Sequence, residues 1–132
     1  MADVIENELI VLGAGPGGYA AAFLAADKGM QVTLIDAAAR PGGTCLHVGC
    51  IPSKALLHVA KVIHEAHDGS NWGVDFGKPT VDLDKMRGRK DGVIDALSKN
   101  LAALCKSRKV EYVNSKGTFV DAKTIQLSDG TR

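Results

Sequence analysis

A glycine-rich turn between a short apolar run and an alanine-rich segment limits most strongly the folds open to this chain. The run at residues 8–12 leads directly into the motif G-x-G-x-x-G at residues 13–18. Such a run is typical of a buried parallel strand, and residues 16–28 predict a helix that has proline in its first turn and ends at Gly29. Residues 31–35 then predict a second strand, which a right-handed crossover places beside the first.

Each glycine of this motif has a physical reason to be there. Gly13 permits the tight turn after the strand, Gly15 lets the backbone approach a pyrophosphate, and Gly18 allows the helix to pack closely on the strand. Asp36, at the end of the second strand, can accept hydrogen bonds from ribose hydroxyl groups, which favours an unphosphorylated ribose. The pattern predicts a site for FAD or NAD without choosing between them. A purely structural glycine turn is the alternative, but it does not account for the acid falling at the expected spacing.

Helical spacing predicts two longer helices after the second strand. The first covers about residues 44–67 and should be disturbed by Pro52. The second covers residues 82–108, with Asp82 as its N-cap.

The end of the chain predicts a further strand and a hairpin. Residues 110–113 read as a third parallel strand, and residues 118–120 and 124–127 read as the two arms of a β-hairpin. The expected fold is therefore α/β, a Rossmann-like doubly wound domain with a parallel sheet and an added β-hairpin. Because residues 128–132 read as a turn that opens toward another strand, we expect the domain to be incomplete at its C-terminus and the chain to be a fragment.

Composition limits the possible functions. The chain has 132 residues, of which 45% are hydrophobic and 23% charged, enough for one domain with a hydrophobic core. A net charge of +1 gives no electrostatic reason to expect nucleic acid or an anionic membrane as a partner. No stretch approaches the roughly 20 apolar residues of a membrane span. Residues 1–8 contain no basic residue, unlike a signal or transit peptide, so we expect a cytoplasmic protein.

Two cysteines lie close to the predicted dinucleotide site. Cys45 and Cys50 stand between a glycine pair and a proline, and in the cytosol such a close pair is more often catalytic or metal-binding than structural. A disulfide needs its Cα atoms within roughly 7 Å, so the helix must be distorted, and we expect the distortion at Gly49 and Pro52. A nearby helix N-terminus would lower the pKa of one thiol. We predict a redox-active dithiol.

Two other interpretations of the pair remain open. The cysteines could be buried and inert, or they could bind zinc together with His47, His64 and His67. The spacing matches no common zinc pattern, so we expect no metal site. His58, His64 and His67 are more simply exposed helix residues, and Cys105 is expected to be a half-buried packing residue.

The segment from Gly42 to Leu57 resembles, nearly letter for letter, the flavin-side signature of the pyridine nucleotide–disulfide oxidoreductase family. The resemblance covers the whole chain. Residues 51–54, Ile-Pro-Ser-Lys, resemble the branch of that family that oxidises dihydrolipoamide more than the branches that reduce glutathione or mercuric ion. Two positions depart from the family pattern: His47 replaces an asparagine beside the disulfide, and Asp36 replaces a glutamate, which shortens its reach by one methylene.

The resemblance implies a role for each matching residue. Cys50 would be the thiol next to the flavin, forming a charge-transfer pair with it as the thiolate, and Cys45 would be the thiol that exchanges with the lipoyl sulfur. Electrons would pass from dihydrolipoamide through the Cys45–Cys50 disulfide to tightly bound FAD, and then to NAD⁺. Implied contacts to FAD come from Gly13, Gly15, Gly18, Asp36, Gly42, Gly43, Thr44, Cys45, Lys54 and Gly117.

The resemblance also implies partners. Residues 1–132 would form the N-terminal part of an FAD-binding domain, and the NAD-binding and dimerisation domains would lie beyond Arg132. The full-length protein would be a homodimer that acts on the lipoyl domains of 2-oxo acid dehydrogenase or glycine cleavage complexes. We expect the chain alone to be inactive, because the family's acid–base histidine and glutamate would come from the missing part. A free-standing module that holds FAD or a reversible disulfide without turnover is the alternative.

Overall fold

A computed structural model describes residues 3–132, so Met1 and Ala2 of the acidic N-terminal segment lie outside the described part. Strands and helices alternate along the first half of the chain, and a hairpin follows at the end. In order, the elements are β1 Leu9–Leu12, α1 Pro16–Asp27, β2 Val32–Asp36, α2 Gly43–His47, α3 Cys50–Asp68, a 3₁₀ turn Gly69–Trp72, α4 Leu83–Ser107, β3 Glu111–Asn114, β4 Gly117–Phe119 and β5 Ile125–Leu127.

The described residues form a three-stranded sheet, β1-β2-β3, and a separate two-stranded hairpin, β4-β5. Both pairings of the larger sheet are parallel, with Leu9 opposite Val32 and Leu34 opposite Tyr112. The hairpin is antiparallel, with Thr118 opposite Gln126. The predicted α/β class, the parallel sheet and the added hairpin are confirmed, because apolar runs joined by helical crossovers pair side by side as expected.

The core lies between α1 and the sheet. Small side chains of α1, Ala22 and Ala25, are buried against Val32 and Leu34 of β2, which lets the helix lie close to the strands. Cys105 belongs to the same cluster and is only 3% exposed, so the expectation that it is half-buried is wrong. It lies in the last turn of α4, where its carbonyl accepts the N–H of Val110 and the chain enters β3.

The helical stretch after β2 is interrupted at Val48–Gly49, so α2 and α3 are separate helices. Pro52 does not cause this break. It is the third residue of α3, in the first turn, where a missing N–H removes no helical hydrogen bond. The expected distortion is therefore found at Gly49 alone. At the start of α4, the expected cap is confirmed, since the Asp82 carboxylate accepts the N–H of Lys85 at 2.9 Å.

Within the described residues, one helical segment, Gly43–Trp72, is long and apolar enough to cross a membrane by length and composition, and most of it is not buried in the protein. Polar residues such as Lys54, His58 and Lys61 interrupt this segment, so it is not an unbroken run of roughly 20 apolar residues. The segment includes the break at Val48–Gly49, and a single such segment is weak evidence for a membrane span.

Candidate functional site

The glycine motif forms the turn between β1 and α1, at the carboxyl end of the sheet. Gly13 has φ of +101°, which a side chain would strain, and its N–H bonds to the carbonyl of Ile35 at 2.7 Å. Gly15 is the N-cap of α1, which has no side-chain cap among the described residues. The N–H groups of the first turn therefore remain available to an anion, as at other helix N-termini that bind phosphate.

Gly18 marks the closest contact between α1 and the turn. A Cβ built there would lie on the carbonyl oxygen of Gly13, 2.9 Å from its carbon and 3.5 Å from Cγ1 of Val11. The predicted role of Gly18 in close helix–strand packing thus has a direct geometric basis.

A second glycine pair completes a cradle around this turn, which we call the glycine cradle (residues 13–18 with Gly42 and Gly43). Gly42 donates its N–H to the carbonyl of Ala14 at 2.9 Å. A Cβ on Gly43 would lie 2.5 Å from the Cα of Gly15. Two backbone segments therefore touch without side chains between them, which fits the approach of a dinucleotide pyrophosphate.

Asp36 lies at the end of β2 with its carboxylate directed at the cradle. Its Oδ2 accepts the N–H of Ala14 at 2.6 Å, and its Oδ1 accepts the N–H of Ala38 at 2.8 Å. Each oxygen has one further lone pair, so the carboxylate can still accept ribose hydroxyl groups. The sequence placed Asp36 correctly at the strand end, but its bond to the glycine turn was not foreseen.

Two residues of β3 hold the turn after Asp36, and sequence patterns did not reveal them. The side-chain amide of Asn114 donates to the carbonyls of Ala38 at 2.6 Å and Ala37 at 3.0 Å. The Tyr112 hydroxyl donates to Ala38 at 2.7 Å. The only available signal was the position of Tyr112 in, and of Asn114 directly after, the predicted third parallel strand at residues 110–113.

Tyr112 gives this region a measurable response to alkaline pH. Burial, followed by the nearby negative charge of Asp36, raises the pKa of Tyr112 from 10.0 to about 12. Because the folded-state pKa lies above the unfolded one, the neutral phenol stabilises the fold fully below pH 10.0, and this contribution is lost as the pH rises through about 12.

We therefore expect the free energy of unfolding to depend on Tyr112 in a pH-dependent way. Tyr112→Phe should destabilise the protein at neutral pH by about 1 kcal/mol, because the hydrogen bond to Ala38 is lost. The difference from wild type should shrink between pH 10.0 and 12, because the phenol of the unfolded wild type ionises in this range while the folded one stays largely neutral. Urea unfolding of both proteins across this range checks it, and a constant difference would contradict the assigned pKa.

The two cysteines lie on different helices that meet at Gly49. Cys45 is half-buried in the middle of α2, and Cys50 is exposed at the first position of α3. A Cβ on Gly49 would lie 3.0 Å from the carbonyl oxygen of Thr44, which is tighter than an ordinary contact, so glycine lets the two helices approach closely here. This close approach makes Cys50 the neighbour with the largest effect on the pKa of Cys45.

The electrostatic surroundings of Cys45 differ from those expected. The hydrogen bond to Cys50 is the largest cause that raises the pKa of Cys45, and burial adds to it. The positive charge of Lys54 lowers this pKa but does not reverse the direction. The pKa of Cys45 is therefore raised rather than lowered, because its main neighbour in the dithiol form is a second thiol rather than a cation.

The remaining predicted residues lie around this centre. Lys54 is exposed one turn after Cys50. A ring nitrogen of His47 lies 3.3 Å from the carbonyl of Arg40, and the causes that shift the pKa of Cys45 do not include His47. Gly117 begins β4, and a Cβ there would lie 2.8 Å from Cδ1 of Leu12, so its backbone rests on the end of β1. The roles of Lys54 and Gly117 in binding FAD stay predictions.

A cavity of about 300 Å³ opens beside Cys45, between α1, α2 and α4. Leucine side chains of α4 form one wall, and Tyr19 and Asn100 contribute polar groups. Among the described residues no charged side chain lines it. The helical spacing of Leu97, Leu101 and Leu104 was visible in the sequence, but their position next to a thiol was not.

His58, His64 and His67 are exposed on α3, as expected. His64 and His67 both contact Asp68, at 3.4 Å and 3.6 Å. Residues 3–132 contain no group of three histidine, cysteine or acidic side chains that could hold a metal ion.

Comparison with known proteins gives a consistent family. A family model described as pyridine nucleotide-disulphide oxidoreductase matches residues 7–132. The dihydrolipoyl dehydrogenase of Haemophilus influenzae is 46% identical over 129 residues, which cover 98% of this chain and 27% of that protein. The dihydrolipoyl dehydrogenase of Vibrio cholerae is 50% identical over 127 residues, which cover 96% and 27%. The chain thus spans about a quarter of the length of the curated relatives it matches.

Among solved structures, the chain resembles the HOCl-induced flavoprotein disulfide reductase RclA of Escherichia coli, solved as a Cu(II) complex. The TM-score is 0.72 over 89% of this chain and 24% of that one, at 23% identity, which shows a shared fold. The family match extends over the glycine cradle and the cysteine pair together. The chain therefore belongs to the pyridine nucleotide-disulphide oxidoreductase family.

Proposed function

We propose that this chain is the FAD-binding, dithiol-carrying part of a dihydrolipoyl dehydrogenase, which oxidises dihydrolipoamide with NAD⁺ as the final acceptor. One observation carries the proposal: Cys45 lies two residues after Gly43, which itself packs against Gly15 of the dinucleotide turn. The thiol pair and the cofactor cradle are therefore one structural unit. The similarity to dihydrolipoyl dehydrogenases over nearly the whole chain supports it.

The residues of the glycine cradle fit FAD. The first turn of α1 would bind the pyrophosphate, Asp36 the adenosine ribose, and the segment from Gly42 to Thr44 would lie along the cofactor. Positions where a Cβ would collide, Gly18 and Gly43, explain why this site requires glycine. FAD supplies the two-electron chemistry that connects the dithiol with NAD⁺.

The chain's own part in the reaction is thiol–disulfide exchange. In the oxidised form, one thiolate of dihydrolipoamide attacks Cys45 Sγ, breaks the Cys45–Cys50 bond and forms a mixed disulfide. The second sulfur of the substrate then attacks its own partner sulfur and releases Cys45, giving lipoamide and the reduced pair. Two electrons and two protons leave the substrate in this sequence. Cys45 leaves in the second step, and the raised pKa of its thiol in the reduced pair favours uptake of one of these protons there.

The cavity beside Cys45 supports lipoamide as the substrate class. Its wall is formed mainly by Leu97, Leu101 and Leu104, which suits an uncharged dithiolane on an aliphatic arm. A peptide disulfide such as glutathione carries charged groups, and among the described residues no charged side chain of the cavity is available to pair with them.

We further propose lipoyl domains as partners, a homodimer as the full assembly and the cytoplasm as the location.

The proposal is tested by reducing the oxidised protein, loaded with FAD, in rapid-mixing experiments. We expect dihydrolipoamide to reduce the Cys45–Cys50 disulfide at least about a hundredfold faster than glutathione at equal thiol concentration, since the difference corresponds to roughly 2.7 kcal/mol of selective binding. Equal rates would overturn the assignment to lipoamide. Failure of the purified protein to retain FAD would overturn the assignment of the cradle.

A charge placed in the cavity should act on the substrate reaction specifically. We expect Leu101→Arg to slow the reduction by dihydrolipoamide at least about tenfold. The guanidinium fills part of the apolar cavity beside Cys45 and brings water into it. Ala102→Arg is the matched control, since the neighbouring residue is exposed and does not line the cavity. Equal rates in the two variants would show that the substrate does not approach through the cavity.

A further inference from the structure

The long helix α4 reaches the glycine cradle through one buried hydroxyl. Ser98 is 0% exposed, and its Oγ lies 3.3 Å from the carbonyl oxygen of Pro41, 57 residues earlier in the chain. Pro41 is itself fully buried. Within residues 3–132 the hydroxyl is the one donor found for this carbonyl, which water cannot reach.

The contact continues as a chain of hydrogen bonds into the dinucleotide site. The residue after Pro41 is Gly42, whose N–H donates to the carbonyl of Ala14 at 2.9 Å. Ala14 in turn donates its N–H to Oδ2 of Asp36 at 2.6 Å. Each peptide in this series is planar and stiff, so a displacement of the Pro41 carbonyl moves the Gly42 N–H with it.

Ser98 carries the one hydroxyl group among the buried residues of α4. The other buried residues of α4 are Ile94 and Cys105, and a polar side chain on this face is favourable only with a hydrogen-bond partner. A second contact joins the same two segments, the ion pair of Arg40 with Asp95 at 2.9 Å, but both side chains are about half exposed and such pairs contribute little. The buried hydroxyl is thus the main polar link.

We propose that Ser98 is a positioning residue for the glycine cradle: its hydroxyl holds the Pro41–Gly42 peptide so that Gly42 and Gly43 stay against Ala14 and Gly15. Without the hydroxyl, the buried Pro41 carbonyl has no donor, and the segment loosens to find one. The amides of Gly42 and Ala14 then open more often, and the cradle binds FAD less tightly. The last statement rests on the proposed function, whereas the effect on the amides does not.

The test compares hydrogen–deuterium exchange in the whole protein without FAD, measured on peptides that contain Ala14 and Gly42. In Ser98→Ala we expect both peptides to exchange roughly tenfold faster than in wild type, and the dissociation constant for FAD to rise by about the same factor. Ile94→Val is the matched control: it removes one buried methyl group from the same face of α4 and leaves the Ser98 hydroxyl and its bond to Pro41 in place. It should lower the melting temperature but leave both peptides protected.

The proposal would be overturned if the two peptides exchanged in Ser98→Ala at the wild-type rate. It would also be overturned if Ile94→Val accelerated their exchange as much as Ser98→Ala does. Ser98→Cys replaces the hydroxyl by a weaker donor of similar size and should give intermediate exchange, so it carries the test if Ser98→Ala does not fold. Loss of FAD by the wild type would overturn the proposed function alone, since the exchange result does not depend on the cofactor.

Discussion

Gly18→Ala is expected to destabilise the protein by at least about 3 kcal/mol and to abolish retention of FAD. The added Cβ would lie on the carbonyl oxygen of Gly13, which belongs to the backbone and cannot rotate away as a side chain would. To relieve the collision, α1 has to move off β1, and that movement opens the core beneath Ala22. Thermal and urea unfolding followed by circular dichroism measure the loss.

Gly17→Ala is the control for this prediction. A Cβ at Gly17 has nothing within 4 Å, and alanine has the higher helix propensity, so we expect the stability of this variant to equal or exceed that of wild type. The two substitutions add the same methyl group to neighbouring residues of one helical turn. If both variants melted at the same temperature, the collision at Gly18 would not be the reason for the glycine.

Cys45→Ser is expected to abolish oxidation of dihydrolipoamide, with a loss of at least about 10³-fold in the whole protein, and to leave folding nearly unchanged. Serine cannot form the mixed disulfide through which the proposed mechanism oxidises the substrate. Alkylation of the denatured, oxidised protein followed by mass spectrometry should find, among the three cysteines of this chain, one reactive thiol in wild type, Cys105, and two in the variant. Full activity of Cys45→Ser would remove the basis of the proposed mechanism.

Cys105→Ala is the matched control among the three cysteines. Cys105 is buried in the core cluster and lies outside the thiol pair, so its removal should lower stability without removing activity. If the variant lost activity at a temperature where it is folded, the third cysteine would have a role that the proposed mechanism does not contain.

Local patterns predicted the central unit of this fold well. The spacing of the glycines and of Asp36 follows from steric and hydrogen-bonding requirements within one strand–helix–strand unit, and the structure has the unit as expected. The cap at Asp82 and the hairpin were predictable for the same reason, since both depend on residues close together in the chain.

Contacts between distant segments were not predictable. Ser98 meets Pro41, and Asn114 meets Ala38, only because the chain folds back by 57 and 76 residues. The direction of the Cys45 pKa shift also depends on a neighbour that only the break between α2 and α3 brings into contact. The prediction that Pro52 distorts the helix was wrong because the sequence did not show where the helix begins. Proline disrupts the middle of a helix but is tolerated in the first turn, where Pro52 lies.

The close spacing of Gly43 and Cys45 has a consequence for how such a protein can change over evolutionary time. A single backbone segment forms one side of the glycine cradle and then enters α2, the helix that carries the Cys45 thiol. A substitution that shifts this segment therefore alters cofactor retention and thiol placement together. The two properties cannot be optimised separately, so variation is expected to be tolerated on the solvent face of α4 long before it is tolerated between Pro41 and Cys50.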